Sequence, residues 1–114
     1  MKDNRQNMRP VFKEAEESLY QTILTLENEN ECRCFFSDLC TPAELEALID
    51  RWAVVPHIAN GLPYRRIHEM TGVSVTTIGR VARFLTDGSG GYKNALKKWS
   101  SAPYAANSRS NKDD

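Results

Sequence analysis

The stretch from Pro63 to Leu85, PYRRIHEMTGVSVTTIGRVARFL, constrains the fold more than any other part of the chain. Tyr64 to Thr71 carries apolar Ile67 and Met70 among Arg65, Arg66, His68 and Glu69. Gly72 then interrupts the helical pattern, and glycine takes left-handed φ/ψ without a Cβ penalty. Val73 is apolar and suits the angle between two helices. Ser74 is a good N-cap, its hydroxyl able to take an orphan N–H of the next helix. Ile78, Val81, Ala82 and Leu85 recur at i, i+3, i+4 and i+7, one buried stripe. The other face shows Thr76, Thr77, Arg80 and Arg83. The spacing predicts a helix-turn-helix over 63–85. A short basic helix, rich in hydroxyls and apolar only on its inner side, suits the DNA major groove. The candidate DNA-binding residues are Arg65, Arg66, Ser74, Val75, Thr76, Thr77, Arg80 and Arg83. A plain helical hairpin shares the outline.

Charge is where composition enters the argument. The 114 residues are formally neutral, which looks wrong for a DNA binder until the charge is divided along the chain. Residues 1–50 hold 5 Lys/Arg against 11 Asp/Glu, a net of −6; residues 63–99 hold 7 against 2, a net of +5. The basic part coincides with the helix-turn-helix, the footprint expected of phosphate contact. No apolar run approaches the ~18 residues a membrane span needs. Met1–Pro10 does not read as a signal peptide, so a cytoplasmic location is expected.

The rest of the chain reads as helix. Phe12, Ala15, Leu19, Ile23 and Leu26 fall at helical spacing between Pro10 and Asn28. Cys32, Phe35, Phe36, Leu39 and Cys40 mark a short second helix. Thr41-Pro42-Ala43-Glu44 is a strong helix start, with Thr41 capping, Pro42 at the first position and Glu44 completing a capping box. Leu45, Leu48, Ile49, Trp52, Val55 and Ala59 share one face of that helix. Pro56 removes a backbone hydrogen bond, so a kink or an early end is expected near Val55. Thr86 to Gly91 reads as a flexible turn. Tyr92, Leu96 and Trp99 give a last helix with Lys93, Lys97 and Lys98 outside. The fold expected is all-α, five to six short helices over 10–99, between a loose terminus at 1–9 and a disordered tail at 100–114.

Enzyme chemistry finds little support. There is no Ser-His-Asp order and no paired carboxylates in an apolar setting; Cys34 with a His is the only conceivable nucleophile–base pair. Cys32, Cys34 and Cys40 make an odd count, and C-x-C-x5-C matches no paired zinc spacing, so neither a disulfide framework nor a metal is expected. Cys32 and Cys40 share a face with Phe35, Phe36 and Leu39 and read as buried small hydrophobes. No cofactor is implied.

The helix order and several motifs resemble the Trp repressor family, and within it the Trp-repressor-related branch of the YerC/YecD type. The resemblance covers about Leu19–Trp99. It rests on TPAELEAL, N-G-L-P-Y-R-R-I, T-G-x-S-x-x-T-I-x-R-V and the tail L-x-x-G-x-G-G-Y. It implies an intertwined homodimer, a partner chain covering Phe12, Leu19, Phe35 and Trp52. Two recognition helices would then sit roughly 34 Å apart on a palindromic operator. It also implies that Arg65 pairs with a guanine, that Thr77 contacts DNA beside core Ile78, and that Val75 and Thr76 meet thymine methyls.

Arg80 matches a family arginine that stacks on bound tryptophan in true Trp repressors. The remainder of that pocket departs from the pattern. Asp50 is read at the place of the carboxylate-binding arginine, Val81 at that of a space-making Gly, and Phe84 at that of a polar Ser. L-tryptophan is therefore not expected as corepressor, and Arg80 is expected to be free for phosphate or base. Gly79 inside the recognition helix costs about 1 kcal/mol relative to Ala, and allows close approach to DNA or a soft helix. His68 is expected to turn toward solvent or phosphate. The reading is a dimeric transcriptional regulator, expected to act as a repressor; the alternative is a protein-interaction module using its basic face on an acidic partner.

Overall fold

The computed structural model describes residues 11–101. Six α-helices account for nearly all of them: α1 Phe12–Ile23, α2 Glu29–Leu39, α3 Pro42–Ala59, α4 Tyr64–Thr71, α5 Val75–Asp87 and α6 Gly91–Ser101. No strand occurs among the described residues, in agreement with the all-α expectation. The segments expected to be loose at 1–9 and disordered beyond residue 101 lie outside the described residues. The start expected for that tail, residue 100, is instead still helical. The chain divides into two compact units between Leu45 and Glu46.

The first unit is built from locally capped helices. α1 ends at Ile23, short of the expected Asn28, because the last turn tightens: Thr25 N–H bonds Thr22 O at 3.0 Å, and the Thr25 hydroxyl donates to the same carbonyl at 2.6 Å. α2 starts at Glu29, three residues before the first apolar position. Its cap is Asn28, whose Oδ1 accepts the Glu31 N–H at 2.9 Å, while the Glu31 carboxylate reaches back to the Glu27 N–H at 2.9 Å. The capping box at α3 forms as read, with Glu44 N–H on Thr41 Oγ1 at 3.1 Å and Thr41 N–H on Glu44 Oε1 at 2.8 Å. Neither α1 nor α2 contains a fully buried residue. Cys32 and Cys40 are half-buried and Cys34 is exposed, all as free thiols.

The core lies in the second unit. Val54, Val55, Ile67, Val73, Ile78 and Val81 are buried together, with Ile58, Leu62, Leu85, Tyr92 and Leu96 packed against them. Of the kink or early end expected at Pro56, the early end does not occur: the helix runs on through Pro56 to Ala59 and closes at Asn60-Gly61. A mid-helix proline costs about 3 kcal/mol. Fully burying a valine returns roughly 1.5–3 kcal/mol, and Val54 and Val55 are both completely buried immediately before it. Bonding resumes beyond it, with Asn60 N–H on Pro56 O at 3.0 Å. Of the apolar face read from the sequence, Val55 is completely buried and Leu48, Ile49 and Trp52 are exposed, and Val54, which that face did not include, is completely buried as well. At the end of α3, Gly61 N–H bonds Ile58 O at 2.9 Å and Leu62 N–H bonds His57 O at 3.2 Å, the paired bonds of a Schellman motif.

Candidate nucleic-acid interface

Packing of α4 on α5 builds the interface. α4 opens at Pro63 and closes at Gly72, whose φ of 77° is in the left-handed region and whose N–H bonds His68 O at 2.8 Å. Val73, 4% exposed, plugs the angle as read from the sequence. Ser74 caps α5: its Oγ accepts the Thr77 N–H at 3.1 Å and its hydroxyl donates to Thr77 Oγ1 at 3.0 Å. Ile78 and Val81 are fully buried, and Ala82 and Leu85 half-buried, so the apolar stripe of α5 faces inward.

With that stripe buried, the opposite face must be wet. Val75 is 50% exposed, and Thr76, Arg80 and Arg83 are exposed beside it. Ser74 is exposed and Thr77 half-buried. On α4, Arg65 and Arg66 are exposed while Ile67 is completely buried. The fold thus brings Ser74, Val75, Thr76, Thr77, Arg80 and Arg83 onto one short helix, with Arg65 and Arg66 on the helix packed against it.

Of the two apolar residues named on α4, Ile67 is buried and Met70 is 49% exposed. Two features differ from what the residues suggested. His68 is exposed as expected, yet its Nδ1 is bonded to Val73 O at 2.7 Å rather than free in solvent. Arg80 is not free either: its guanidinium lies over the Phe84 ring, 5.8 Å from the centroid, a cation–π contact across one helical turn.

Arg80 and Phe84 also line a cavity of about 230 Å³ with Arg51, Val81 and Tyr92. This corrects the reading that Asp50 leaves the region without a positive partner or space. The next residue, Arg51, brings a second guanidinium to the cavity, and Val81 and Phe84 line it without closing it. The missed signal was position: Arg51 precedes Val54 and Val55 by three and four residues, so it shares the inward face of α3. A neighbouring apolar hollow is lined by Phe84, Gly88, Ser89, Gly91 and Tyr92.

Two helices crossing at a left-handed glycine, the second capped by Ser and basic outside, define a helix-turn-helix protein. The sequence pattern of the Trp repressor protein family matches residues 14–100, and the chain belongs to that family, a family of DNA-binding regulators. It is 39% identical over 82 residues to the uncharacterized protein YerC of Bacillus subtilis (strain 168), covering 72% of this chain and 79% of that protein. It is similar in structure to a candidate Trp repressor from Staphylococcus aureus, with TM-score 0.70 and 42% identity over 74% of this chain and 84% of that one. A TrpR-like protein from Eubacterium eligens ATCC 27750 superimposes with TM-score 0.74 and 35% identity, covering 81% of this chain and 95% of that one. Among the described residues no helix is long and apolar enough to cross a membrane.

Proposed function

We propose that this chain is a sequence-specific transcriptional repressor that reads a palindromic DNA operator as a homodimer in the cytoplasm. The observation that carries the reading is the two-sidedness of α5, which buries Ile78 and Val81 completely and turns Val75, Thr76, Arg80 and Arg83 to solvent. Val75 and Thr76 offer methyl groups for thymine; Arg65, Arg66, Arg80 and Arg83 offer charge for phosphate and guanine edges. The homodimer is supported by the first unit, where Leu19, Ile23, Phe35 and Phe36 are only half-buried and Leu39 is exposed. A second copy of the chain is the occupant that would cover them, and light scattering reads it directly.

The repressor acts without L-tryptophan in this reading. The support is the Phe84 ring, which already gives the Arg80 guanidinium an aromatic partner 5.8 Å away, the kind of contact an indole would make. The test is to incubate the purified protein with fragmented host DNA and random competitor at physiological salt, then sequence what is retained. Enrichment of a palindrome with half-sites one helical turn apart is expected. Uniform recovery that falls steeply with salt means phosphate contact alone and refutes the specific reading.

A further inference from the structure

We propose that His68 is a positioning residue for DNA recognition, setting the approach of α5 by holding the carbonyl of Val73. The inference rests on the DNA-binding reading above. Val73 is buried while the chain reverses at Gly72, so its backbone polar groups need partners within the protein. Both partners are side chains of α4. The Val73 N–H donates to Thr71 Oγ1 at 3.1 Å, and the Thr71 hydroxyl in turn donates to Ile67 O at 2.7 Å. The Val73 carbonyl is held by His68 Nδ1 at 2.7 Å.

A carbonyl only accepts, so Nδ1 carries a hydrogen whether the ring is neutral or charged. The role therefore does not depend on the charge of the ring. The peptide that His68 grips leads straight into Ser74, the cap of α5. Without the imidazole, this carbonyl must take a water or rotate, and either response shifts the cap and the residues that follow it. His68 thus acts on DNA through Val73 and Ser74 rather than by touching a base.

Three variants test this. His68→Asn places an amide nitrogen close to where Nδ1 stands, His68→Gln places it one carbon farther out, and His68→Ala removes it. The probe is the duplex that the wild-type protein enriches from a random-sequence pool. His68→Ala and His68→Gln are expected to bind it about fivefold more weakly, the loss of one ordinary hydrogen bond, while His68→Asn stays within about twofold of wild type. The salt dependence of binding is expected to be the same in all four proteins, and the thermal midpoint of the Asn variant to lie above those of Gln and Ala. Without DNA, amide exchange at Ser74–Ile78 is expected to quicken in the Ala and Gln variants only. If His68→Asn loses as much affinity as His68→Ala, and the salt slope falls by about one, His68 is a phosphate contact and the proposal is overturned. Equal affinity in all four overturns it as well. A wild-type protein that enriches nothing refutes the DNA reading and what His68 positions α5 for. The exchange rates, measured on free protein, then still decide whether His68 holds the turn, so the two failures are read apart.

Discussion

The Tyr64 ring lies beside the backbone of Gly79, where a Cβ added to the glycine would meet Tyr64 Cε2 at 3.9 Å. That is ordinary van der Waals contact, so the one glycine inside the recognition helix is not there to avoid a clash within the protein. Gly79→Ala is expected to stabilise the chain by about 1 kcal/mol, the difference in helix propensity, as a higher urea midpoint at unchanged slope. An unchanged or lower midpoint would show that α5 needs the softness of glycine even in the free protein.

Two other glycines separate conformational strain from collision. Gly72 has open space around its Cβ position but a φ of 77°, so Gly72→Ala is expected to cost about 1–2 kcal/mol, purely as left-handed backbone strain. Gly88 has an ordinary φ of −83°, yet a Cβ there would run into the carbonyl oxygen of Phe84. Gly88→Ala is expected to break the 2.9 Å bond from Gly88 N–H to Phe84 O. Amide exchange reads the difference: Gly72→Ala lowers global stability, whereas Gly88→Ala quickens exchange first at the end of α5.

The contact of Arg80 with Phe84 predicts how the protein meets an aromatic amino acid. L-Tryptophan at millimolar concentration is expected to leave the thermal midpoint of the wild-type protein unchanged. Phe84→Ser frees the guanidinium and enlarges the cavity beside Arg51, and a tryptophan-dependent rise in midpoint is expected in that variant. A rise already present in wild type would refute the proposed independence from tryptophan.

On the DNA side, Arg65→Ala and Thr77→Val are expected to weaken binding to the enriched duplex by about 1–3 kcal/mol and to relax sequence preference. Arg65→Ala should also reduce the salt slope by about one if its guanidinium meets phosphate, and leave it unchanged if it pairs only with guanine. Both variants should sediment as the parent does. Parental affinity in both would remove these residues from the interface.

The helix-turn-helix was legible because its signals are local and agree. Gly72 supplies the left-handed turn, Ser74 the cap, and Ile78 with Val81 the inward stripe. The face of α3 was legible only in part: Val55 was read, whereas Val54 was not, because Leu48, Ile49 and Trp52 form one apolar stripe and Val54 with Ile58 another. Periodicity finds both but does not tell which faces inward within one chain. The end of α1 escaped because Thr25, a poor marker by residue type, takes the Thr22 carbonyl with its hydroxyl. At the interface, exposure followed from the pattern, whereas the tie from His68 to Val73 crosses a turn and has no periodic signature. Arg80 over Phe84 is an i, i+4 pair and could have been read directly.

Among the described residues, all six buried core residues fall between positions 54 and 81. Contacts so near in sequence close short loops, and short loops close quickly, so the DNA-facing part has a fast route to its native state. None of those six belongs to the described residues before Glu46. The helix-turn-helix can thus close on its own contacts without waiting for the amino-terminal helices. In the homodimer proposed above, abundance rather than folding would then set how much of the protein can grip both halves of an operator.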